Sequence, residues 1–487
     1  MNVDPRAPVL VGVGTAARAA EPIELMEEAL RSAAADAGDP GLLAAVDRIA
    51  VPKGTWGYAD PARLVAGRVG ASAARTHLGE VGISQQTLIS QALRAIAAGT
   101  SEVAVVMGGE ARSWARTPGA RETAQPDAVP DVVETREPEF FAAPELAAGI
   151  LVPPVQQYAL IENALGHHEG RSTAEHRAEI AELWARMNQV ARGNPDAAFG
   201  EPRTAEEIDS PGPRNRPLSF PYNKWHASQW TVDQAAALLM CSAGAARQHG
   251  IPADRWIFPL VGIDANHSVS LSRRRYLHRW PAMEVLGRTA SERIGRPIAG
   301  VEVIEVYSCF PAAVRVQQRE LGLPVDGAPT VTGGMAFAGG PFNNFVYQAT
   351  AAVVARLRSE PDVLGVVTTV CGLLTKPGLA VWSARPDGRP PLIDDLADAA
   401  ARATPTVTVL DSHDGPATVA SYTVTFDGTT PVRVAVVADV AAGNGGPARC
   451  VAVSDDPDLA VELTAASGAA DRFIGSTVGV RGLAFSP

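Results

Sequence analysis

The chain has 487 residues, of which 46% are hydrophobic and 20% charged, with a formal net charge of −11. This length exceeds one ordinary core, so two or three globular domains are expected. The excess of acidic residues, 53 against 42 basic ones, argues against a nucleic-acid-binding protein. The four cysteines are scattered and form no C-x-x-C pair, which predicts reduced thiols and no bound metal. The sequence also shows no apolar run long enough to span a bilayer and no signal pattern, so we expect a cytoplasmic protein.

The first third of the sequence alternates short apolar runs with amphipathic stretches. The runs at 8–14, 47–54 and 102–110 predict strands, and the stretches at 21–38 and 87–99 predict helices. Continuous apolar strands between helices are typical of a parallel or mixed sheet that is covered on both faces. The predicted class is therefore α/β.

Residues 113–228 interrupt this alternation. They contain a charged helix at 174–192 and proline-rich connections, which predict a helical and loop insertion rather than core. From Val232 the pattern resumes with an alanine-rich stretch, interpreted as a core helix, and then echoes the first half. We therefore predict two similar halves, at 1–285 and 286–404.

The last segment, 405–487, changes character again. Four or five short strands separated by glycine-rich turns, together with one short helix, fit a small barrel of the OB type. Its acid-rich composition argues against the oligonucleotide binding that such barrels often perform.

Two glycine patterns suggest nucleotide binding, but the residues that follow each pattern argue against it. Gly12, Gly14 and Ala17 match the dinucleotide fingerprint, but the helix begins too late to meet a pyrophosphate, so a tight turn after a strand is favoured. Gly334 and Gly339 have phosphate-loop spacing but lack the lysine and hydroxyl residue that should follow.

Four separated segments together resemble the thiolase superfamily, most closely its sterol-carrier-type, thiolase-like branch. They are "IAAGTSEVAVVMGGE", "NRPLSFPYNKWHASQWTVDQAAA", "VEVIEVYSCFP" and "VTGGMAFAGGPFNN", and the resemblance covers roughly residues 8 to 385. It implies a five-layered αβαβα core of two similar halves, to which this chain adds the OB-like domain. It also implies a coenzyme A thioester as ligand, with no covalently bound cofactor, and a homodimer or a monomer as the assembly.

The resemblance places the family's nucleophilic cysteine near Gly82, yet the first cysteine of the chain is Cys241. Ser84 or Thr87 could replace it only with a base beside it. The family's Gly-His-Pro loop corresponds to Gly339, Gly340 and Pro341, so glycine stands in place of the histidine. We expect the amides of Gly339 and Gly340 to remain able to face an oxyanion.

The remaining candidates for catalytic residues are Cys309, Tyr307, Cys371 and His226. Cys309 corresponds to the acid/base cysteine of the sterol-carrier branch, and Tyr307 replaces that branch's histidine. Cys371 approximately matches the cysteine of the last family motif, with a register uncertain by one residue. His226 lies on a stretch that approaches the substrate channel in the family, although a histidine between tryptophans is more often packed.

Three functions remain open on these grounds. The first is an acyl-CoA-binding protein of acyltransferase ancestry, which has lost the thiolase nucleophile and histidine. The second is a retro-aldolase on β-hydroxyacyl-CoA, in which Tyr307 takes the hydroxyl proton, the amides of Gly339 and Gly340 hold the enolate, and Cys309 reprotonates it. The third is a non-catalytic scaffold that retains only the CoA-ester pocket.

Overall fold

The computed structural model describes residues 3–125, 127–136, 139–149, 152–443, 446–465 and 468–487. The first part of the chain forms β1 (Pro8–Ala17), α1 (Pro22–Ala37), β2 (Arg48–Pro52), α2 (Pro61–Val69), β3 (Arg75–Gly79), α3 (Gln85–Ala97), β4 (Val103–Ala111) and β5 (Val132–Glu134). The insertion forms α4 (Ala143–Ala147), α5 (Pro154–His168), α6 (Thr173–Ala191), α7 (Ala205–Asp209), β6 (Pro217–Ser219) and β7 (Tyr222–Asn223).

The chain then returns to the core. This part forms β8 (Asp233–Ser242), α8 (Ala243–Gln248), β9 (Phe258–Asp264), α9 (Pro281–Ile294), β10 (Val303–Glu305), α10 (Pro311–Leu321), α11 (Phe345–Ser359), β11 (Leu364–Cys371), β12 (Lys376–Ser383), β13 (Leu392–Asp395) and α12 (Ala397–Ala403). The C-terminal part forms β14 (Thr408–Val409), β15 (His413–Asp427), β16 (Thr430–Gly443), β17 (Gly446–Ser454), α13 (Pro457–Thr464), α14 (Ala469–Phe473), β18 (Thr477–Gly482) and β19 (Ala484–Ser486). Short 3₁₀ turns occur at Pro40–Ala45, Trp114–Arg116, Lys224–His226, Ala253–Arg255, Leu271–Arg273 and Ile298–Gly300.

Two mixed sheets and three layers of helices make up the core. The first sheet has the order β1-β8-β4-β2-β3-β5 and the second the order β10-β11-β12-β9-β13. Helices α3 and α11 contact strands of both sheets, so they form the central layer, while α1 and α2 cover the first sheet and α9 lies against the second. The predicted αβαβα arrangement is confirmed.

The glycines of the rejected dinucleotide pattern lie within β1 rather than in a turn after it. A Cβ atom at Gly12 would lie 2.0 Å from the Ala33 carbonyl oxygen, and one at Gly14 would lie 2.1 Å from that of Ala29. Because only glycine lets α1 approach the strand this closely, the prediction of a tight turn is wrong, and the pattern reflects helix–strand packing.

The alanine-rich stretch after Val232 is also a strand, which corrects the prediction of a core helix there. β8 pairs antiparallel with both β1 and β4, and α1, α3 and α11 contact it. Burial on both faces removes the alternation of polar residues that would have marked it as a strand, and alanine by itself favours a helix.

The predicted boundary between the halves at residue 285 falls too late in the chain. β9 pairs antiparallel with β12 and parallel with β13, so it belongs to the second sheet. The second sheet therefore begins at Phe258. The insertion also contributes to the first sheet, because β5 pairs with β3 at its edge.

The C-terminal segment is a closed barrel, as predicted. In the described part of the chain, β15, β16, β17, β19 and β18 pair in a ring that returns to β15. Strand β6 of the insertion adds to β15 at Ser219. The Arg449 guanidinium reaches from β17 to the backbone carbonyls of Ser272 and Arg275, each at 3.3 Å, which joins the barrel to the second half.

Among the described residues, no helix is both long and apolar enough to cross a membrane.

Candidate active site

The glycine loop, residues 331–345, is held in place by buried polar side chains on neighbouring elements. The Glu305 carboxylate, at the end of β10, accepts hydrogen bonds from the backbone N–H groups of Val331 (2.7 Å) and Thr332 (2.8 Å). The Ser308 hydroxyl accepts one from the Met335 N–H at 3.0 Å. These contacts anchor a loop that has no charged residues of its own.

Packing fills the position where the family has its histidine. A Cβ atom at Gly340 would lie 1.8 Å from the Ser228 hydroxyl oxygen and 3.2 Å from the Met335 side chain. At Gly339, φ is +105° and a Cβ atom would lie 2.3 Å from the Gln234 side-chain oxygen. The loop therefore has no room for an acid–base side chain at either position.

The Gly340 amide is engaged as well. Its N–H donates to the Gln229 carbonyl at 3.0 Å, and the Gln229 N–H donates in turn to the Met335 carbonyl at 3.0 Å. The prediction that this amide could face an oxyanion is wrong, because Gln229, in the segment after His226, already accepts its hydrogen bond.

The start of α3, where the family has its nucleophile, is equally closed. Ser84 is the N-cap of α3, and its hydroxyl accepts from the Gln86 N–H at 3.3 Å. The Thr87 hydroxyl donates to the Asp264 carboxylate, which lies at the end of β9. Both hydroxyls are buried, and burial raises the pKa of Asp264 to about 6. A carboxylate does stand beside Thr87, but the pair is enclosed.

Reactive groups gather instead at the turn that joins β11 to β12. Cys371 and Lys376 are opposite each other in the strand pairing. The Cys371 thiol donates to the Gly82 carbonyl oxygen at 3.4 Å, and the Lys376 ammonium donates to the same oxygen. Within the turn, Leu374 has φ +54°, a conformation that a leucine seldom adopts. We call residues 371–376 the β11–β12 turn.

Tyr307 lies close to Cys371 of this turn, and Cys309 lies close to Tyr307. The Tyr307 N–H donates to the Thr368 hydroxyl of β11 at 2.9 Å. Burial, and then the neighbouring thiols of Cys309 and Cys371, raise the pKa of the Tyr307 phenol. Burial also raises the pKa of Cys309 to about 12, although Tyr158 beside it acts in the opposite direction. Both groups are therefore protonated at neutral pH and can donate protons or hydrogen bonds.

His226 does not join this group. Its Nδ1 accepts from the Asn223 N–H at 3.1 Å, and its ring lies 5.8 Å from that of Tyr222. The Tyr222 hydroxyl is bonded to Glu162 of α5, which also binds His176 at 2.7 Å. Complete burial lowers the pKa of His226 to about 3, so the ring is neutral. The packed interpretation fits this environment.

Sequence reasoning did not single out several residues at the site: Lys376, Asp264, Tyr158, Phe140 and Arg274. Lys376 is five residues from Cys371, and a predicted hairpin would have paired them. Phe140 of the insertion lies on Gly372, with a ring carbon 2.4 Å from the position of an added Cβ. A small cleft with about 20 Å³ of free space is lined by Leu374 and Thr375 of the same turn, together with Arg274, Trp280 and others.

Comparison with known proteins shows likeness at the level of structure. No family model and no curated protein sequence matches the chain. A monomeric SCP2-thiolase-like protein type 1 from Mycobacterium smegmatis matches with TM-score 0.84 and 27% identity over 99% of both chains. An Ltp2-ChsH2(DUF35) aldolase matches with TM-score 0.59 and 20% identity over 79% of this chain and 99% of that one. Human mitochondrial 3-ketoacyl-CoA thiolase matches with TM-score 0.54 and 17% identity over 78% and 100%.

The chain therefore has the thiolase-type fold, which confirms the resemblance in fold. The likeness to the SCP2-thiolase-like protein covers 99% of this chain and so extends through the C-terminal OB-like barrel.

Proposed function

We propose that this protein binds an acyl thioester of coenzyme A and does not catalyse the Claisen condensation of thiolases. The observation that carries the proposal is that a thiol and an ammonium group meet at the β11–β12 turn, with a phenol close to that thiol and a second thiol close to the phenol. These groups belong to Tyr307, Cys309, Cys371 and Lys376. The Tyr307 phenol, and the ammonium N–H groups of Lys376 beyond the one given to Gly82, are donors that suit a thioester carbonyl oxygen or the enolate derived from it.

The absence of condensation follows from what fills the other two family positions. Ping-pong acyl transfer needs a nucleophile at the start of α3 and a base in the glycine loop. The Ser84 hydroxyl is used as a helix cap, and the Ser228 side chain occupies the space that a histidine at 340 would need. The described residues therefore lack both partners of that reaction at the family positions.

The cleft beside the turn supports a ligand that combines apolar and anionic parts. Val269, Leu374 and Trp280 supply apolar walls, and Arg274 supplies a guanidinium group. Arg274 is buried, and its pKa is lowered to about 10 by desolvation, so it remains a cation at neutral pH. An apolar wall beside a cation is the chemistry that an anionic acyl thioester would contact, here around a free space of about 20 Å³.

A second candidate is retro-aldol cleavage of a β-hydroxyacyl thioester, which needs no acyl-enzyme. The Cys309 thiol, with its raised pKa, suits the reprotonation of an enolate. The Tyr307 phenol also has a raised pKa, so it fits the role of hydrogen-bond donor better than that of base. The similarity to an aldolase is a similarity of fold. We rank this candidate second because no side chain is identified as the base that takes the hydroxyl proton.

Thermal-shift titration with CoA, acetyl-CoA, a longer acyl-CoA and NAD as a control tests the proposal. A ligand at 100 times its dissociation constant stabilises a fold by about 2.7 kcal/mol. We expect stabilisation by thioesters and none by NAD. Lack of a shift with every thioester would contradict the proposal and leave a scaffold role.

Incubation with a β-hydroxyacyl-CoA separates the two candidates. Formation of an aldehyde or ketone that Tyr307→Phe abolishes, with ligand binding retained, would favour the retro-aldolase. Binding without cleavage in both proteins would favour the binding function.

A further inference from the structure

Arg274 differs from the other deeply buried arginines in its partners. Among the described residues, three arginines are no more than 5% exposed: Arg274 at 5%, Arg315 at 3% and Arg449 at 3%. Arg315 forms an ion pair with Glu179 at 3.0 Å, and Arg449 forms one with Asp439 at 2.7 Å. Arg274 has no such carboxylate in the part of the chain that the structure describes, and its hydrogen bonds go to backbone carbonyls.

The fold uses only part of the Arg274 guanidinium. Its Nε–H donates to the Val269 carbonyl at 3.1 Å, and Nη2 donates to the Leu373 carbonyl at 2.6 Å. The third nitrogen, Nη1, is buried and has no hydrogen-bond partner. A buried cation with an unused amino group is costly to the fold, because nothing compensates the desolvation of its charge and N–H groups. An anion that accepts from Nη1 would supply the missing partner.

The ionisable groups nearest to Arg274 do not fill this position. Desolvation lowers the pKa of Arg274 to about 10, while Tyr158 and Glu145 act in the opposite direction. The Glu145 carboxylate accepts hydrogen bonds from backbone N–H groups, including that of Ser272 at 2.8 Å. The Tyr158 phenol is hydrogen-bonded to Cys309. Both groups therefore act on the guanidinium at longer range and leave Nη1 unpaired.

The size of the cleft that Arg274 lines indicates which kind of anion fits. Its free space is about 20 Å³, and its apolar walls include Val269, Leu374 and Trp280. One water-sized group needs about 10–15 Å³ of such space, so the cleft suits the end of a chain rather than a nucleotide. A carboxylate accepts strong hydrogen bonds from a guanidinium group, and methylene groups next to it would contact the apolar walls.

The unpaired cation belongs to the same turn as the donors proposed for the thioester. Leu373, whose carbonyl accepts from Arg274, lies between Cys371 and Lys376 in the β11–β12 turn. Because successive Cα atoms are about 3.8 Å apart, those of Cys371 and Leu373 lie within about 8 Å of each other. A short acyl chain is therefore enough to reach from one group to the other.

We propose that the acyl group of the bound thioester ends in a carboxylate, and that Arg274 binds this carboxylate. The ligand is then the CoA thioester of a short dicarboxylic acid. Arg274 determines the specificity for the acyl chain, while Tyr307 and Lys376 donate to the thioester carbonyl oxygen. This inference rests on the proposed function, because it concerns the thioester bound at that site.

The test is calorimetric titration of the full chain with glutaryl-CoA and with pentanoyl-CoA. Both acyl groups have five carbons, and they differ in the terminal carboxylate. Wild type should bind glutaryl-CoA at least about tenfold more tightly. Arg274→Met keeps an apolar side chain and removes the charge, so it should weaken glutaryl-CoA by about thirtyfold and pentanoyl-CoA by less than about threefold. An equal loss for both thioesters would overturn the inference, since a merely structural role of Arg274 would not distinguish them.

Two controls separate carboxylate binding from other effects of charge. Arg275→Met removes the charge of the adjacent arginine, which is exposed, and should leave both affinities unchanged. If Arg275→Met weakens glutaryl-CoA as much as Arg274→Met does, the effect is general electrostatics and the inference is wrong. Titration with free CoA tests the phosphates: if Arg274→Met weakens CoA as much as glutaryl-CoA, Arg274 binds a phosphate of CoA and the inference is also wrong.

The comparison of the two thioesters in wild type separates this inference from the proposed function, and it needs no variant to fold. If wild type binds pentanoyl-CoA as tightly as glutaryl-CoA, carboxylate recognition is wrong and thioester binding stands. If wild type binds neither thioester, both proposals fail.

Discussion

Two regions that meet in the centre of the core differ in how their polar groups are used. At the start of α3 and in the glycine loop, side chains are bonded or packed within the fold: Ser84 caps a helix, Thr87 binds Asp264, and Ser228 fills the space over Gly340. At the β11–β12 turn, a thiol and an ammonium group converge on one carbonyl oxygen.

The difference shows that a thiolase-type fold without the thiolase side chains is not uniformly empty at its centre. A position without a catalytic side chain is filled by a neighbour, because an interior void forfeits contact energy. The polar groups that are present there are those for which the fold provides polar partners. In this chain they come mainly from the second half.

The largest expected effect is a loss of stability when a side chain is introduced into the packed glycine loop. Gly340→His forces a side chain into the space of Ser228 and Met335, and should lower the free energy of unfolding by about 3 kcal/mol or more. Urea unfolding measures it. The matched pair is Gly340→Ala alone and with Ser228→Gly, which removes the atom 1.8 Å from the added Cβ. If Ser228→Gly gives no relief, the packing account of this region is wrong.

Acid stability tests whether His226 is packed rather than a spare base. Its pKa is about 3 in the folded protein, below the unfolded value of about 6.5, so the unfolded chain binds an extra proton in that window. This contribution to stability is present above pH 6.5 and is lost as the pH falls toward 3. From pH 7 to pH 5 it should weaken wild type by about 2 kcal/mol relative to His226→Asn. Equal pH dependence in the two proteins would contradict burial of a neutral ring.

Asp264, which lies between the two regions, should show a smaller effect of opposite sign. Its folded pKa of about 6 exceeds the unfolded value, so stability falls as the pH rises from about 4 to 6 and beyond that changes little. Going from pH 7 to pH 5 should therefore strengthen wild type by about 1 kcal/mol relative to Asp264→Asn. Urea midpoints of the two proteins at both pH values measure this, and a difference of the same sign as that for His226 would contradict the raised pKa.

More of the fold than of the site could be predicted from the sequence. Strand and helix alternation, the barrel and the order of the family motifs all lie in local patterns. β8 was missed because a run buried on both faces has no alternation, and β9 was assigned to the wrong half because sheet membership is a matter of distant pairing.

Within the site, the missing nucleophile and histidine could be read directly from the residues present. The contacts that occupy their places could not be predicted from the sequence. Asp264 binds Thr87 across 177 positions, and Ser228 contacts Gly340 from another segment. Lys376 is the exception, since the turn between two predicted strands would have brought it opposite Cys371.

The central claim is that a CoA thioester binds at the β11–β12 turn. The most direct test is the rate of Cys371 alkylation by iodoacetamide, with and without a saturating CoA thioether analogue that cannot transfer its acyl group. The account predicts that the analogue slows alkylation of Cys371 in proportion to its occupancy. An unchanged rate at a concentration that stabilises the fold would place the ligand elsewhere and contradict the claim.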